Sequence, residues 1–349
     1  MRTWLITGGA GFICSNFVRM ASQYPYTKLV ILDALTYAGN LANIADLLTL
    51  PHVEFIKGDI CDSDLAVGVF EKYKITNVVH SAAESHVDRS ILGSRPFIKT
   101  NIEGTFTLLE AARKTWTEGE NNLFLHVSTD EVYGTLGPRD PPFNENSPYR
   151  PNSPYSASKA AADHLARVWY HTYGLPTIIS NCSNNYGPWQ FPEKLIPLMI
   201  LNVLEGKELP VYGDGQQIRD WLHVQDHCEA LQAIIRRGKV GHTYTIGGNN
   251  ERNNLDIVQK ICIAVDELQG KPKGSSAKLI RHVVDRPGHD RRYAIDSTKL
   301  QTELGWRPRF VFEEALRDVI KWYIDHKSWA DAVRSGEYLN FYEQQYNRR

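Results

Sequence analysis

The stretch Arg2-Thr3-Trp4-Leu5-Ile6-Thr7-Gly8-Gly9-Ala10-Gly11-Phe12-Ile13-Cys14 decides how this chain is read. A short apolar run ends at Thr7, three glycines follow within four positions, and a helix-like pattern begins at Phe12. Strand, tight turn and helix start therefore come in immediate succession. The first N–H groups of a helix have no intrahelical partner, and its dipole is positive there, so such a turn is suited to receiving an anion. Gly8 and Gly11 keep side chains away from an approaching pyrophosphate, with Phe12 and Ile13 opening the helix. The spacing is G-x-x-G-x-x, and Cys14 stands where a third glycine often allows close helix–strand packing.

Working outward, Lys28 to Leu32 reads as a second strand closing on Asp33, about 20 residues past the glycines, where a carboxylate binds ribose hydroxyls. An acid there repels a 2′-phosphate, so the expected cofactor is NAD rather than NADP. Further short apolar strands are expected at Val53 to Ile56, Asn77 to His80, Leu123 to Val127 and Pro176 to Ser180, with helices at Asn101 to Lys114 and Ser156 to Tyr173. This alternation predicts an α/β fold, a Rossmann-type doubly wound parallel sheet covered on both faces. After Asn184 the pattern breaks into short elements separated by Pro-, Gly- and charge-rich loops, which reads as a smaller C-terminal substrate-binding lobe. The expected division is residues 1–184 for the dinucleotide, with a returning strand near 240–248, then 185–330 for the substrate, then a tail at 331–349.

The 349 residues are 42% hydrophobic and 23% charged, ordinary for a globular chain with a sizeable core. With 39 basic residues against 40 acidic ones, a net −1, nucleic acid and anionic membranes are not expected partners. No apolar run approaches the ~20 residues that span a bilayer, and the N-terminus shows no signal-peptide pattern. Cys14, Cys61, Cys182, Cys228 and Cys262 are scattered, without the paired spacing of a disulfide framework or a zinc site. The twelve histidines show no metal-ligand spacing either, so no metal is expected and a cytoplasmic location is.

Two further motifs carry chemistry. In Tyr155-Ser156-Ala157-Ser158-Lys159, Tyr and Lys lie at i and i+4 on one helix face. A phenol, with an ordinary pKa of about 10, becomes a usable base when a neighbouring ammonium stabilises its anion. Thr129-Asp130-Glu131 follows a predicted strand, at the carboxyl edge where open α/β sheets bind ligands. Adjacent carboxylates there can diverge in pKa, one staying protonated as an acid and the other charged as a base. A solvated acidic loop fits the pattern equally well.

Taken together, Thr7 to Ile13, Thr129-Asp130-Glu131 and Tyr155-x-x-x-Lys159 resemble extended short-chain dehydrogenase/reductases acting on nucleotide sugars, and more narrowly the dTDP-glucose 4,6-dehydratase family. The likeness continues through Asp33 to Asn40, Ala82 to Ser90, Asn181 to Pro188, Arg219-Asp220-Trp221 and Asp285 to Asp290. It implies internal redox of a dTDP-glucose substrate: oxidation at C4, loss of water across C5–C6, and return of the hydride to C6. Carried onto matching positions, Tyr155 and Lys159 serve the oxidation, Thr129 binds the C4 oxygen, Glu131 is the C5 base and Asp130 the acid at the 6-hydroxyl.

For NAD the resemblance points to Phe12, Ile13, Asp33, Ala34, Leu35, Thr36, Asp59, Ile60, Ser81, Ala82, Ala83, Ser85, Thr100 and Asn184 beside the glycines and the Tyr–Lys pair. For the nucleotide sugar it points to Ser85, Asn185, Lys194, Leu195, Pro210, Val211, Tyr212, Arg219, Asn254, Asp285, Arg286, Pro287, Gly288 and His289. Arg219 and Arg286 suit a pyrophosphate, which a guanidinium grips through two oxygens. For Lys194, Tyr212 and Asn254 a plain surface role stands beside the ligand role, and His86 and His289 also fit ordinary packing. Cys14 and Ser81 depart from the family pattern, which has a glycine and commonly a larger apolar residue there. A homodimer paired through Asn101 to Lys114 and Ser156 to Tyr173 is expected. The alternatives are a nucleotide-sugar 4-epimerase or decarboxylase, which has no use for Asp130 and Glu131, and a catalytically silent NAD-binding relative, which would be expected to have lost catalytic side chains that this chain retains.

Overall fold

The computed structural model describes residues 2–117 and 121–334, so nearly all of the expected 331–349 tail lies outside the described residues. Six strands lead in from the N-terminus: β1 (Arg2–Thr7), β2 (Thr27–Asp33), β3 (Val53–Lys57), β4 (Asn77–His80), β5 (Leu123–Thr129) and β6 (Thr177–Cys182). The helices among them are α1 (Phe12–Ala21), α2 (Ser63–Tyr73), α3 (Val87–Leu92), α4 (Arg95–Phe97), α5 (Gly104–Thr115) and α6 (Pro154–Tyr173). The remaining strands are β7 (Asn184–Tyr186), β8 (Leu209–Tyr212), β9 (Ile218–His223), β10 (Thr243–Ile246), β11 (Glu251–Asn253) and β12 (Ile280–Val283). The later helices are α7 (Leu195–Glu205), α8 (Val224–Arg237), α9 (Asn254–Leu268), α10 (Thr298–Leu304), α11 (Phe312–Asp325) and α12 (Lys327–Val333).

The main sheet has the order β10-β6-β5-β4-β1-β2-β3, every pairing parallel. The strand order reverses between β1 and β4, which opens a crevice at their carboxyl ends. Side chains such as Ile6, Ile31 and Leu125 pack with Phe17 of α1 and Leu231 of α8 on one face. Leu5, Val30 and Phe124 pack with Phe70 of α2 and Leu108 of α5 on the other. Burial on both faces explains why these strands read as continuous apolar runs rather than alternating ones.

The strand expected to return to this sheet is β10, pairing with β6 from Thr243↔Ile179 to Ile246↔Cys182. More of the chain comes back than residues 240–248, because Leu222, most of α8 and Leu300 to Trp306 also join the first core. The second core lies among α7, α9 and α11, built from Ile200, Ile257, Leu316 and Tyr323. Two small sheets, β11-β9-β7 and β12-β8, bring its loops over the carboxyl edge of the main sheet.

Candidate active site

The glycine turn follows from local sterics. Gly8 has φ +71, and a Cβ there would meet the Ala82 backbone at 2.8 Å, so the turn packs directly on the exit of β4. Gly11 is the N-cap of α1 and offers no side-chain cap, so the first N–H groups of that helix point outward without one. Gly8, Gly11, Phe12, Ile13, Thr36, Ser81, Ala82, Ala83, Ser85 and Asn184 line a cavity of about 270 Å³, together with Thr129, Tyr155 and Lys159. An uncapped helix start facing a turn free of side chains fits a dinucleotide pyrophosphate.

Asp33 supports that turn from behind: its Oδ2 accepts from Ala10 N at 3.0 Å and its Oδ1 from Leu35 N at 2.8 Å. Burial pushes its carboxyl upward while those two bonds pull it back. Asp33, Ala34, Leu35, Asp59, Ile60 and Thr100 stand beside or behind the cavity wall rather than in it. Asp59 accepts from Cys61 N, and Ile60 is core, packed against Gly104. The two departures from the family pattern touch: the Cys14 thiol hydrogen-bonds the Ser81 hydroxyl, and burial pushes that thiol up to about 12.

The opposite wall is α6. Ser153 caps it in a reciprocal box with Ser156, and Pro154 starts it. This places Tyr155 and Lys159 on its inner face, with the Thr129 hydroxyl bonded to the phenol. The expected lowering of the Tyr155 pKa by Lys159 is not what the chain's own groups produce. Burial, then the charge of Glu131, pushes the phenol well above its ordinary value, and Lys159 Nζ donates to the β5 carbonyl Val127 O at 2.9 Å.

Thr129 ends β5, and its Oγ1 accepts from Glu131 N at 3.3 Å as the chain turns. Asp130 is 1% exposed, and its Oδ2 has no hydrogen-bond partner among the described residues. Burial first, then the Glu131 and Asp220 carboxylates, drive its carboxyl well above the usual range. Burial also raises Glu131, but Arg286, Arg219 and Lys194 oppose it and favour its charged form. Both carboxyls are raised, Asp130 the more strongly and Glu131 against three opposing cations, so the neighbours diverge in the direction an acid–base elimination uses.

A second cavity, of about 160 Å³, opens on the other side of Glu131. Ser85, Lys194, Leu195, Pro210, Val211, Tyr212, Arg219, Asn254, Arg286 and His289 are among the residues that line it. Arg219 stacks over the Tyr293 ring at 4.3 Å and donates to Asp290 O at 3.0 Å, while Arg286 faces Asp88 at 3.6 Å. Asp285, Pro287 and Gly288 stay out of the lining. Asp285 orients His289 through a 2.6 Å contact, and Gly288, at φ +66, forms the turn that presents it. Asn185 lines the first cavity instead, and its Oδ1 meets His227 Nδ1 at 2.9 Å. The two cavities share Ser85, Glu131, Asn184, Glu193 and Lys194.

Glu193 was not expected from the sequence. It is buried and accepts from Tyr37 O–H at 3.1 Å and Arg89 Nε at 3.3 Å. Its neighbour Lys194 was the only local pointer, since Arg89 lies 104 residues away. Among the described residues no group of three or more His, Cys, Asp or Glu side chains could hold a metal, and no helix is long and apolar enough to cross a membrane.

A parallel sheet with a dinucleotide turn, a Tyr-x-x-x-Lys helix across the crevice and a second cavity meeting the first at a carboxylate define an NAD-dependent extended short-chain dehydrogenase/reductase. Residues 5–319 match the family model described as GDP-mannose 4,6 dehydratase, and the chain belongs to that family. It is 53% identical over 359 residues to the dTDP-glucose 4,6-dehydratase of Salmonella typhimurium, covering 99% of each chain. The dTDP-glucose 4,6-dehydratase of Bacillus anthracis, solved in complex with NAD, superposes with a TM-score of 0.85 at 46% identity, over 95% of this chain and 100% of that one. That of Streptomyces venezuelae, solved with NAD and TYD bound, gives 0.87 at 43% identity, over 95% and 99%.

Proposed function

We propose that this protein converts dTDP-glucose to dTDP-4-keto-6-deoxyglucose. The observation that carries the reading is the adjacent pair of buried carboxyls, Asp130 the more strongly raised and Glu131 opposed by Arg286, Arg219 and Lys194, with Glu131 at the junction of the two cavities. Neither an epimerase nor a decarboxylase needs that pair. Gly8, Gly11, Phe12 and Ile13 would hold NAD along the glycine turn, where it would supply a hydride acceptor for sugar C4 and a hydride donor for C6.

The chain's own residues do the rest. Arg219, Arg286 and Lys194 offer cationic groups to the diphosphate, and Asn254 and Tyr212 line the same cavity. Thr129 and Tyr155 meet the C4 oxygen, and Tyr155 takes its proton. Because burial and Glu131 hold the phenol high, its use as a base depends on the Lys159 ammonium, one helical turn along α6, stabilising the phenolate. A ketone at C4 acidifies the C5 proton, which Glu131 removes. Asp130 gives its proton to the 6-hydroxyl, water departs, and Glu131 returns the proton to C5.

In this reading residues 1–184 with the returning strand hold the cofactor, and residues 185–330 supply most of the nucleotide-sugar contacts. Phe106 on α5 and Val168 on α6 are exposed apolar side chains on packed neighbouring helices, which supports a homodimer through that surface. Five free cysteines are consistent with work in the cytoplasm. Incubation with dTDP-glucose and mass spectrometry test the reaction: a product lighter by one water is expected. Unchanged substrate, or its C4 epimer, would refute it. Light scattering tests the dimer, which a monomer at working concentration would exclude.

A further inference from the structure

The last described helix, α12, reaches the cofactor turn through a buried relay. Trp329 of α12 donates its indole N–H to Asn43 Oδ1 at 2.9 Å, across 286 residues of sequence. Asn43 in turn donates Nδ2 to Ala10 O at 2.8 Å, inside the glycine turn. The main chain of Asn43 is itself pinned, its carbonyl accepting Arg19 Nη2 at 2.8 Å. Asn43 is 2% exposed and Ala10 fully buried, so water is not available to substitute for these bonds.

The donor inventory makes the arrangement one-way. An indole can only donate and a peptide carbonyl can only accept, so the Asn43 amide has a single satisfied orientation, oxygen toward Trp329 and nitrogen toward Ala10. Ala10 is then held on both sides: its N–H by Asp33 at 3.0 Å, its carbonyl by Asn43 and by Asn40 N at 3.1 Å. That carbonyl belongs to the peptide plane whose N–H is Gly11, and this N–H closes the turn on Gly8 O at 3.0 Å. Fixing the plane therefore fixes the shape of the turn from which α1 starts.

The surroundings make the same connection. Trp329 packs edge-on against Trp189 at 5.5 Å and Trp322 at 5.2 Å, and Arg19 of α1 lies over Trp189 at 5.3 Å. Trp189 leads into Gln190 and Phe191, which line the cofactor cavity, and Tyr323 O–H bonds Gln190 O at 2.7 Å. The aromatic end of the described chain therefore braces the cavity at two points.

We infer that Trp329 is a positioning residue for the cofactor, acting through Asn43 to hold the glycine turn in its dinucleotide-receiving shape. The inference rests on the NAD site described above. Removing the indole N–H leaves Asn43 Oδ1 buried without a donor and frees the amide to turn away from Ala10.

The test compares Trp329→Phe with Trp322→Phe. Both trim the same aromatic cluster, but only the first deletes the bond to Asn43. Each NAD-loaded protein is transferred to NAD-free buffer, and retained NAD is followed with time beside thermal unfolding of the NAD-stripped form. Trp329→Phe is expected to lose NAD about tenfold faster than the parent, with Trp322→Phe close to the parent. A parental rate in Trp329→Phe would overturn the inference, as would equal acceleration in both variants, which would mark general packing. A parent that neither carries nor binds NAD would instead overturn the cofactor site itself.

Discussion

Glu131→Gln isolates the step that separates elimination from plain dehydrogenation. Glutamine keeps the shape of the side chain and removes only the base. Its neighbours are poor replacements: burial and nearby carboxylates push Asp130 well above the usual carboxylate range, which suits it to give a proton rather than take one, while Glu193 is engaged by Tyr37 and Arg89. General-base removal ordinarily costs 10²–10⁴-fold, and with no substitute base the upper part of that range is expected, roughly 4–5 kcal/mol of barrier. Losing a negative charge beside Arg219 and Arg286 leaves the diphosphate no worse bound, so KM should hold or fall. Stability should move the opposite way from activity. The Glu131 carboxyl is raised in the folded state, so folding disfavours its ionised form above the ordinary glutamate pKa and ceases to do so below it. The variant should thus be at least as heat-stable as the parent at neutral pH, with the advantage fading in acid. Rapid mixing of the NAD-loaded variant with dTDP-glucose should show reduced-nicotinamide absorbance building up without loss of water. Dehydration at the parental rate would refute the assignment of the C5 base, and absence of C4 oxidation would refute the separation of the two steps.

Tyr155→Phe should retain NAD yet lose C4 oxidation by at least about 10²-fold, read as the missing absorbance change. Turnover should follow a bell against pH, failing in acid as Glu131 gains its proton and in alkali as the raised Asp130 loses its own; Asp130→Asn should cost about 10²–10⁴ in kcat while leaving the melting temperature unchanged or higher. Cys14→Gly should keep turnover and bound NAD, because it only removes a small thiol from a cavity wall that the glycine turn and Ser81 still form, but destabilise by about 1 kcal/mol through added helix flexibility. A large loss of NAD in that variant would show position 14 to be part of the cofactor contact.

The cofactor half was legible because its requirements are local. Gly8, Gly11 and Asp33 answer to turn sterics and strand ends, which spacing along one short segment reveals. Strand positions were legible for a similar reason, since burial on both faces leaves uninterrupted apolar runs such as Leu29 to Leu32. The Tyr–Lys spacing was equally plain, but its electrostatics were not. Whether Lys159 faces the phenol or the β5 carbonyl depends on tertiary placement, and so does the burial that outweighs it. The second cavity came from resemblance alone, its residues drawn from segments as distant as Ser85 and His289. The Glu193–Arg89 contact and the Trp329–Asn43 relay were invisible, because contacts across 104 and 286 residues leave no periodic trace.

The central claim is that Glu131 takes and returns the C5 proton while water leaves across C5–C6. Incubation of the protein with dTDP-glucose in heavy water, read by mass spectrometry and proton NMR, tests it most directly. The account predicts a product lighter by one water and carrying one deuterium at C5. A dehydrated product with hydrogen retained at C5, or recovery of unlabelled dTDP-glucose with its C4 epimer, would contradict it.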